Sequence, residues 1–379
     1  MKGSIIKRGE KYSIVIDVGR DALGKRKQRW FSGYTSYKEA ENELPRILVK
    51  MQDGELIDTK AITLGKFATD WLEHKIKYDK IADTTRAGYT NIINKHIIPT
   101  IGKLKMQDVK PYNLQKYFET KLTSKDNPLS SFTLCNHHRV LKSMFIYAED
   151  MGIIEKNPMN KVKVPKDKKN ETKVLTIEES QRLLDIVQNS DFLKMPVSLA
   201  ILLGLRRGEC LALSWDKVDF DNKIITIDQN LEYIDKQLIF KEPKTLKSNR
   251  KIAITDSIVT LLKKHKKWQL EMTMRSGGTW RNEYNLVCTR KSDGSPITPH
   301  VLSTYFKKFL IKNNFPEIRF HDLRHTNATI MLAANISAKV AGNRLGHSNT
   351  SITLDLYSHV LESIDRDVAD KIEQLIKVK

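Results

Sequence analysis

Cysteine is scarce in this sequence of 379 residues. The three cysteines, Cys135, Cys210 and Cys288, lie far apart and show none of the paired spacings of a zinc site or a disulfide framework. Long apolar runs are also missing: no stretch of about 18 uncharged apolar residues occurs, and residues 1–8 lack the apolar centre of a signal peptide. These absences argue against export and membrane insertion, and we expect a cytoplasmic protein.

Acidic residues are the minority among the charged side chains. The sequence has 65 Lys and Arg residues and 45 Asp and Glu residues, which gives a formal net charge of +20 and a pI near 9.6. This excess favours a polyanionic partner, because cations that neutralise phosphates release bound counterions. Charge alone leaves open a basic protein with no nucleic-acid role. The length, at roughly 150 residues per domain, predicts two or three domains.

Residues 1–57 predict a small domain of three short strands and one helix. Alternating apolar positions indicate the strands, and a capped helical pattern follows Ser36. A ribbon of this kind can press into a DNA groove, although a solvated strand face would carry the same charges. The candidate DNA-binding residues lie beside Trp30 on the third strand: Lys25, Arg26, Lys27 and Arg29.

Residues 58–166 predict an all-helical domain. Thr63 is placed to cap its first helix, and Asp83 opens a second helix that must end before Pro99. Pro111 then lies near the start of a third helix, where a proline is tolerated. Aromatic and Met residues recur at helical spacing along the domain, and we interpret them as core rather than as a binding surface.

Residues 167–379 predict a mainly helical domain with a small antiparallel sheet. A polar hinge at 161–173 precedes it, and Thr176 starts a sequence with the form of a capping box. Two strand-like stretches, 224–227 and 251–254, predict a hairpin whose Lys-rich turn contains Lys244. The expected fold class is therefore α+β, divided over three domains.

Five short blocks of this last domain carry residues suited to phosphoryl transfer without a metal: Arg206, Lys244, His321, Arg324, His347 and Tyr357. A phosphodiester under attack develops negative charge, which fixed cations and hydrogen-bond donors must neutralise. Arginine suits this task because its planar fork of donors matches phosphate and stays charged. His321 and Arg324 are three residues apart, so one helical face could present both.

The remaining residues could supply proton transfer and a nucleophile. Lys244, near the tip of the predicted hairpin, could protonate a leaving 5′ oxygen. Tyrosine is a poor nucleophile at its free pKa of about 10, so Tyr357 needs a cationic pocket and a proton acceptor, which His321 or His347 could supply. Each block alone has an ordinary structural explanation, such as a surface ion pair or a helix stopped by glycine. All of them in order within one basic domain favour a catalytic site.

The same blocks closely resemble the tyrosine recombinase family, and the resemblance spans about residues 170–379. It implies that Arg206 and Arg324 clamp the scissile phosphate and that Lys244 protonates the leaving oxygen. His321 and His347 would assist proton transfer, and Tyr357 would form a 3′-phosphotyrosyl link. The resemblance also implies that Glu209 holds the first arginine in place. The blocks are residues 204–209, 243–250, 321–326, 345–348 and 355–359.

The upstream segments resemble the other domains of the same family. Residues 63–160 resemble the core-binding domain, and the first 55 residues resemble the arm-binding module of phage and conjugative-transposon integrases. This resemblance implies an integrase of a mobile element that acts on core and arm sites of double-stranded DNA in the bacterial cytoplasm, at the nucleoid. It implies no cofactor, metal or ATP, and no membrane.

Assembly is a further expectation. After Tyr357, apolar residues recur at helical spacing, and in this family such a tail commonly docks on a neighbouring protomer. We therefore expect a homotetramer on paired sites joined by the C-terminal helix, with a host bending protein and an excision factor as further partners. The apolar positions are Leu361, Ile364, Val368, Ile372 and Leu375.

Three other functions fit less well. An architectural DNA-binding protein with a decayed site should have lost at least one of the six residues. A type IB topoisomerase would share the nucleophile and the cationic clamp. The arm-binding module that the first 55 residues resemble argues against it. A metal-dependent nuclease needs a set of carboxylates for Mg²⁺, and the sequence offers no convincing one.

Overall fold

The computed structural model describes residues 3–20, 26–52, 62–164, 173–242 and 249–346, with only the backbone of residues 18–20, 26–27, 29 and 50–52. The chain divides into two compact units, Met1–Lys168 and Lys169–Lys379. Over the ranges described, every helix is too short or too polar to cross a membrane. Most of the expected hinge at 161–173 lies outside the described residues.

The first part of the Met1–Lys168 unit is an antiparallel sheet with one helix. Strands β1 (Gly3–Arg8), β2 (Lys11–Arg20) and β3 (Arg26–Tyr34) pair in the order β1-β2-β3, and α1 (Tyr37–Gln52) follows. Ser36 accepts a hydrogen bond from the Glu39 N–H, which caps α1 as expected. The apolar side of α1 packs on the sheet through a small core: Ile14, Ile16, Ala40 and Ile47.

The second part of this unit is helical. It comprises α2 (Leu64–Lys77), α3 (Asp83–Ile92), α4 (Ile98–Ile101), α5 (Pro111–Leu122) and α6 (Ser131–Asp150). Thr63 caps α2 by accepting a hydrogen bond from the Lys66 N–H, as expected. The helices enclose one apolar core, whose larger members include Trp71, Phe118 and Phe145.

The expected break before Pro99 is absent. Helix α3 itself ends at Ile92, but a π-helical turn at Ile93–Ile97 continues it directly into α4. In this wider turn the Ile98 N–H donates to the carbonyl of Ile93, five residues back. Pro99 therefore lies in the first turn of α4, and because it has no N–H it cannot donate a hydrogen bond to the preceding turn.

The Lys169–Lys379 unit is mainly helical. Its helices are α7 (Ile177–Val187), α8 (Lys194–Leu203), α9 (Arg207–Ala212), α10 (Asp256–Arg275), α11 (Pro299–Lys312), α12 (Asp322–Ala333) and α13 (Ala338–Leu345). The Thr176 hydroxyl accepts from the Glu179 N–H, and the Glu179 carboxylate accepts from the Thr176 N–H, so the predicted capping box is confirmed. Helix α8 is apolar on nearly every side and packs against α7, α9 and α12.

The strands of this unit are β4 (Val218–Asp219), β5 (Ile224–Ile227), β6 (Asn230–Ile234), β7 (Gln237–Lys241) and β8 (Arg250–Ala253). Strands β4, β5 and β8 form an antiparallel sheet in that order, and β6 pairs with β7 alone. The predicted pairing of β5 with β8 is confirmed. The prediction of one simple hairpin between them is wrong, because β6 and β7 form a second hairpin within the connection.

The inserted hairpin turns at Asp235 and Lys236, which both have positive φ angles of 49° and 65°. This turn type favours Asn, Asp or Gly, so Asp235 suits it but Lys236 does not, and the sequence carries only a weak signal for the turn. Lys244, expected at a hairpin tip, belongs to the segment between β7 and β8 and lies outside the described residues. The expected α+β class is confirmed, with one more small sheet than expected.

Candidate active site

Three of the six predicted catalytic residues are described: Arg206, His321 and Arg324. Lys244, His347 and Tyr357 lie outside the described residues, as does the expected C-terminal helix. Of the candidate DNA-binding residues, Lys25 also lies outside, and only the backbone is described for the three on β3: Arg26, Lys27 and Arg29.

A glycine turn between α8 and α9 positions Arg206. Gly204 ends α8 with a left-handed φ of +67°, and a Cβ there would collide with the Leu345 side chain and lie 2.6 Å from Asn327 Oδ1. Only glycine fits both the angle and the space. The chain then becomes extended at Arg206, which is the N-cap of α9 and is half-buried.

Glu209 is the acidic centre of the site. Its Oε2 accepts a hydrogen bond from the Arg206 N–H at 2.8 Å, and its Oε1 accepts from Arg206 Nη1 at 2.7 Å. Arg250, at the start of β8, donates from Nη1 to Oε1 at 3.1 Å and from Nη2 to Oε2 at 2.8 Å. Arg324 Nη1 lies 3.9 Å from Oε2. The expectation that Glu209 holds Arg206 is confirmed.

The charges of this cluster stay ionised near neutral pH. Burial raises the pKa of Glu209, but the hydrogen bonds and charge of Arg250, and then the charges of Arg206 and Arg324, outweigh it and lower that pKa to about 2. Burial, followed by the charge of Arg206, lowers the pKa of Arg324 to about 9. Three guanidinium groups therefore face one carboxylate, and the positive charge in excess favours an anion.

The same three arginines bind the C-terminal end of α13. The carbonyl oxygens of residues 344, 345 and 346 accept, in order, from Arg250 Nε at 2.9 Å, Arg324 Nη2 at 2.6 Å and Arg206 Nη2 at 2.9 Å. Such carbonyls have no partner within their own helix and carry the negative end of its dipole. The arginines thus fix the point at which the chain leaves α13 toward His347.

Helix α12 contributes His321 and Arg324 from its first turn. Arg324 is buried and donates from Nη1 to the Gly204 carbonyl at 2.8 Å, which ties α12 to the glycine turn. His321 is exposed at the N-cap of α12, and its ring meets that of His325 edge-on at 5.0 Å. Although His321 is exposed, the protein around its ring removes part of the ring's hydration, and this desolvation, followed by the nearby His325 and Arg324, lowers the pKa of His321 to about 4. The neutral form of the His321 ring is therefore favoured at pH 7, and the same low pKa makes the ring a weak base.

Two contributors to this arrangement were given no role from the sequence. Arg250 lies within a recognised block, but its contacts depend on the pairing of β8 with β5, which brings it to Glu209. Asn327 is buried and donates to the Ile201 carbonyl at 2.7 Å, so it joins α12 to the last turn of α8. No group of three or more His, Cys, Asp or Glu side chains that could hold a metal is found in the described ranges.

The depressed pKa of Glu209 predicts a pH dependence of stability. Its carboxyl has a pKa of about 2 in the folded chain, against an ordinary 4.5. The ionised form thus stabilises the fold fully above about pH 4.5, and this stabilisation is lost as the pH falls toward 2. We expect Glu209→Gln to lower the free energy of unfolding by about 3 kcal/mol at pH 7 and to flatten its decline between pH 5 and pH 2.

The measurement is urea unfolding of the full chain across this pH range. Glu283→Gln is the matched control, because Glu283 is exposed. If Glu209→Gln followed the same pH profile as the control and the parent chain, the ionised cluster around Glu209 would be ruled out as a source of stability.

Three family models match separate parts of the chain. A model of the phage integrase family matches residues 173–363, a model of the phage integrase N-terminal SAM-like domain matches 63–122, and a model of the arm DNA-binding domain matches 4–51. The chain is 30% identical to a protein named tyrosine recombinase XerC-like from Caldanaerobacter subterraneus subsp. tengcongensis, over 99% of each chain.

Two solved structures share the fold. The Tn1549 transposon integrase in complex with transposon right end DNA has a TM-score of 0.69 at 22% identity, over 82% of this chain and 99% of that one. A lambda integrase tetramer bound to a Holliday junction has a TM-score of 0.59 at 16% identity, over 93% of both chains. Given the family match and the full-length relative, this chain belongs to the phage integrase family, the tyrosine recombinases, and is an enzyme that cleaves and rejoins DNA at specific sites.

Proposed function

We propose that this chain integrates and excises a mobile element. It does so by cutting and rejoining double-stranded DNA through a 3′-phosphotyrosyl intermediate and a Holliday junction, with neither metal nor ATP. The observation that carries the proposal is the cluster of Arg206, Arg250 and Arg324 around the Glu209 carboxylate, which is only 3% exposed. Its positive charge is held in place by hydrogen bonds within the protein, as charge stabilisation of a phosphoryl transition state requires.

In this mechanism Arg206 and Arg324 bind the non-bridging oxygens of the scissile phosphate. A guanidinium carries five N–H donors in a fixed plane. The Arg206 side chain uses one on Glu209 and one on the Gly346 carbonyl, which fixes that plane. Arg324 is fixed in the same way by the carbonyls of Gly204 and Leu345. Donors fixed in advance cost little reorganisation when charge develops on the phosphate.

Tyr357 is the nucleophile. Its phenol oxygen attacks the phosphorus and forms the 3′-phosphotyrosyl bond, while the bond from phosphorus to the 5′ oxygen breaks. A neutral histidine, His321 or His347, accepts the phenol proton, and Lys244 donates a proton to the departing 5′ oxygen. A 5′ hydroxyl from the second DNA reverses these steps. Because the phosphotyrosyl bond conserves the energy of the phosphodiester, rejoining needs no ATP.

We propose three domains: an arm-type DNA-binding domain at 1–57, a core-binding domain at 58–166 and the catalytic domain at 167–379. The order of the three family matches supports this division. The first domain binds arm sites through Lys25, Arg26, Lys27 and Arg29, and the other two bind core sites.

The active assembly is a homotetramer on paired sites. The C-terminal helix after Tyr357 joins its protomers, and the tetrameric state of the structurally similar lambda integrase supports this proposal. A host bending protein and an excision factor control the direction of the reaction. The work takes place in the bacterial cytoplasm, at the nucleoid.

The role of Tyr357 predicts one covalent adduct. The protein mixed with nicked attachment-site DNA in EDTA should form an adduct that survives denaturation, because the nick lets the 5′ fragment diffuse away before rejoining. Tyr357→Phe should form none, since it lacks the attacking oxygen.

The adduct is measured by denaturing gel, and its site by mass spectrometry of the DNA-linked peptide. Tyr284→Phe removes the hydroxyl of an exposed tyrosine and should keep the parent yield. Adduct formed at the parent rate by Tyr357→Phe would assign the nucleophile elsewhere.

The basic strand predicts a salt-dependent contribution to arm-site binding. Replacing both Arg26 and Lys27 by Ala should weaken arm-site binding and reduce the slope of log affinity against log salt by about one unit per lost phosphate contact. Core-site cleavage should stay unchanged. The matched control, Lys38→Ala with Arg46→Ala, removes the same charge from exposed positions of α1. Equal losses in both double variants would indicate that net charge, rather than the strand, determines arm binding.

A further inference from the structure

Arg250 contacts two other parts of the Lys169–Lys379 unit, the start of α9 and the end of α13. It opens β8, opposite Ile227 of β5, and its side chain is only 6% exposed. Lys244 lies six residues before it in the sequence. A buried arginine at this position is held by its contacts, because an ion of this kind is costly to bury without partners.

Its guanidinium joins two ends of helices. The two terminal nitrogens bind the two oxygens of Glu209, at 3.1 Å and 2.8 Å, while Nε binds the Arg344 carbonyl at 2.9 Å. Glu209 Oε1 is shared with the Arg206 side chain, and Oε2 is shared with the Arg206 N–H. One side chain therefore connects the start of α9, which positions Arg206, to the end of α13, which leads to His347.

Loss of this connection has two physical consequences. The Glu209 carboxylate would keep Arg206 as its main partner, so the Arg206 guanidinium could turn from the plane that faces the phosphate toward a closer pairing with the carboxylate. The end of α13 would also depend on Arg206 and Arg324 alone, the two arginines that the reaction needs for phosphate. Lysine cannot replace Arg250, since a single ammonium lacks the fork that spans two carboxylate oxygens and a carbonyl.

We propose that Arg250 is a positioning residue of DNA cleavage, which acts through Glu209 and the last turn of α13 to set the geometry of Arg206. The proposal rests on the proposed function of the site. It assigns Arg250 no contact with DNA, so the substitution should slow cleavage without weakening DNA binding.

The first test is single-turnover cleavage of nicked core-site DNA by Arg250→Ala and Arg250→Lys. At saturating DNA we expect rates lower by about a hundredfold for Ala and about tenfold for Lys, with half-saturation within about threefold of the parent chain. Arg182→Ala is the matched control, because Arg182 also donates to a backbone carbonyl, that of Asn313, but at an exposed position. If Arg250→Lys cleaved DNA at the rate of the parent chain, the proposal would be overturned, because a positive charge at position 250 would then be enough for cleavage.

The second test asks whether Arg250 acts through Arg206. If it does, Arg206→Ala combined with Arg250→Ala should cleave about as slowly as Arg206→Ala alone, whereas independent roles would multiply the two losses. Multiplied losses would overturn the proposal, as would a loss that appears only as weaker DNA binding. Thermal melting checks each variant, and if Arg250→Ala melts early, the Lys variant takes its place in both tests. If the parent chain forms the adduct at Tyr357 but the Arg250 variants behave otherwise than expected, only this inference fails. If the parent chain forms no adduct at Tyr357, the proposed function itself fails.

Discussion

The Lys169–Lys379 unit depends on the ion pairs that the buried Glu209 carboxylate makes with arginine side chains. An ion this deeply buried destabilises a fold unless it is paired and fully hydrogen-bonded. Here the pairing comes from Arg206 and Arg250, with Arg324 at the longer distance of 3.9 Å. Because these arginines come from α9, β8 and α12, satisfying one carboxylate brings three distant stretches of sequence to one point.

The backbone around this point is shaped to receive the arginines. Gly204 and Gly346 both adopt left-handed angles, end helices α8 and α13, and leave their carbonyls to arginine side chains. Each guanidinium thus has a carbonyl partner besides the carboxylate. The positive charge of the cluster is thus fixed by contacts within the protein, which is how a protein stabilises developing phosphate charge without moving at the moment of reaction.

Local signals in the sequence predicted a large part of this structure. The capping residues Thr63 and Thr176 start their helices as expected, because a cap depends on neighbours within three residues. The blocks around Arg206 and Arg324 were recognisable because five short motifs in order resemble those of the tyrosine recombinases. The π-helical turn before Pro99 could not be predicted, and the Asp235-Lys236 turn carries only half of its usual signal, because Asp235 is favoured there and Lys236 is not. The arginine contacts to three successive carbonyls depend on tertiary packing, which a pattern of side chains does not reveal.

The most direct measurement of the central claim is a crystal structure of the Tyr357→Phe variant bound to uncleaved core-site DNA. It should place Arg206 and Arg324 within about 3 Å of oxygens of one phosphate, as charge-assisted hydrogen bonds require. Glu209 should keep its hydrogen bonds to Arg206 and Arg250. A scissile phosphate bound away from these two arginines, or a Glu209 carboxylate released from both of its partners, would contradict the account.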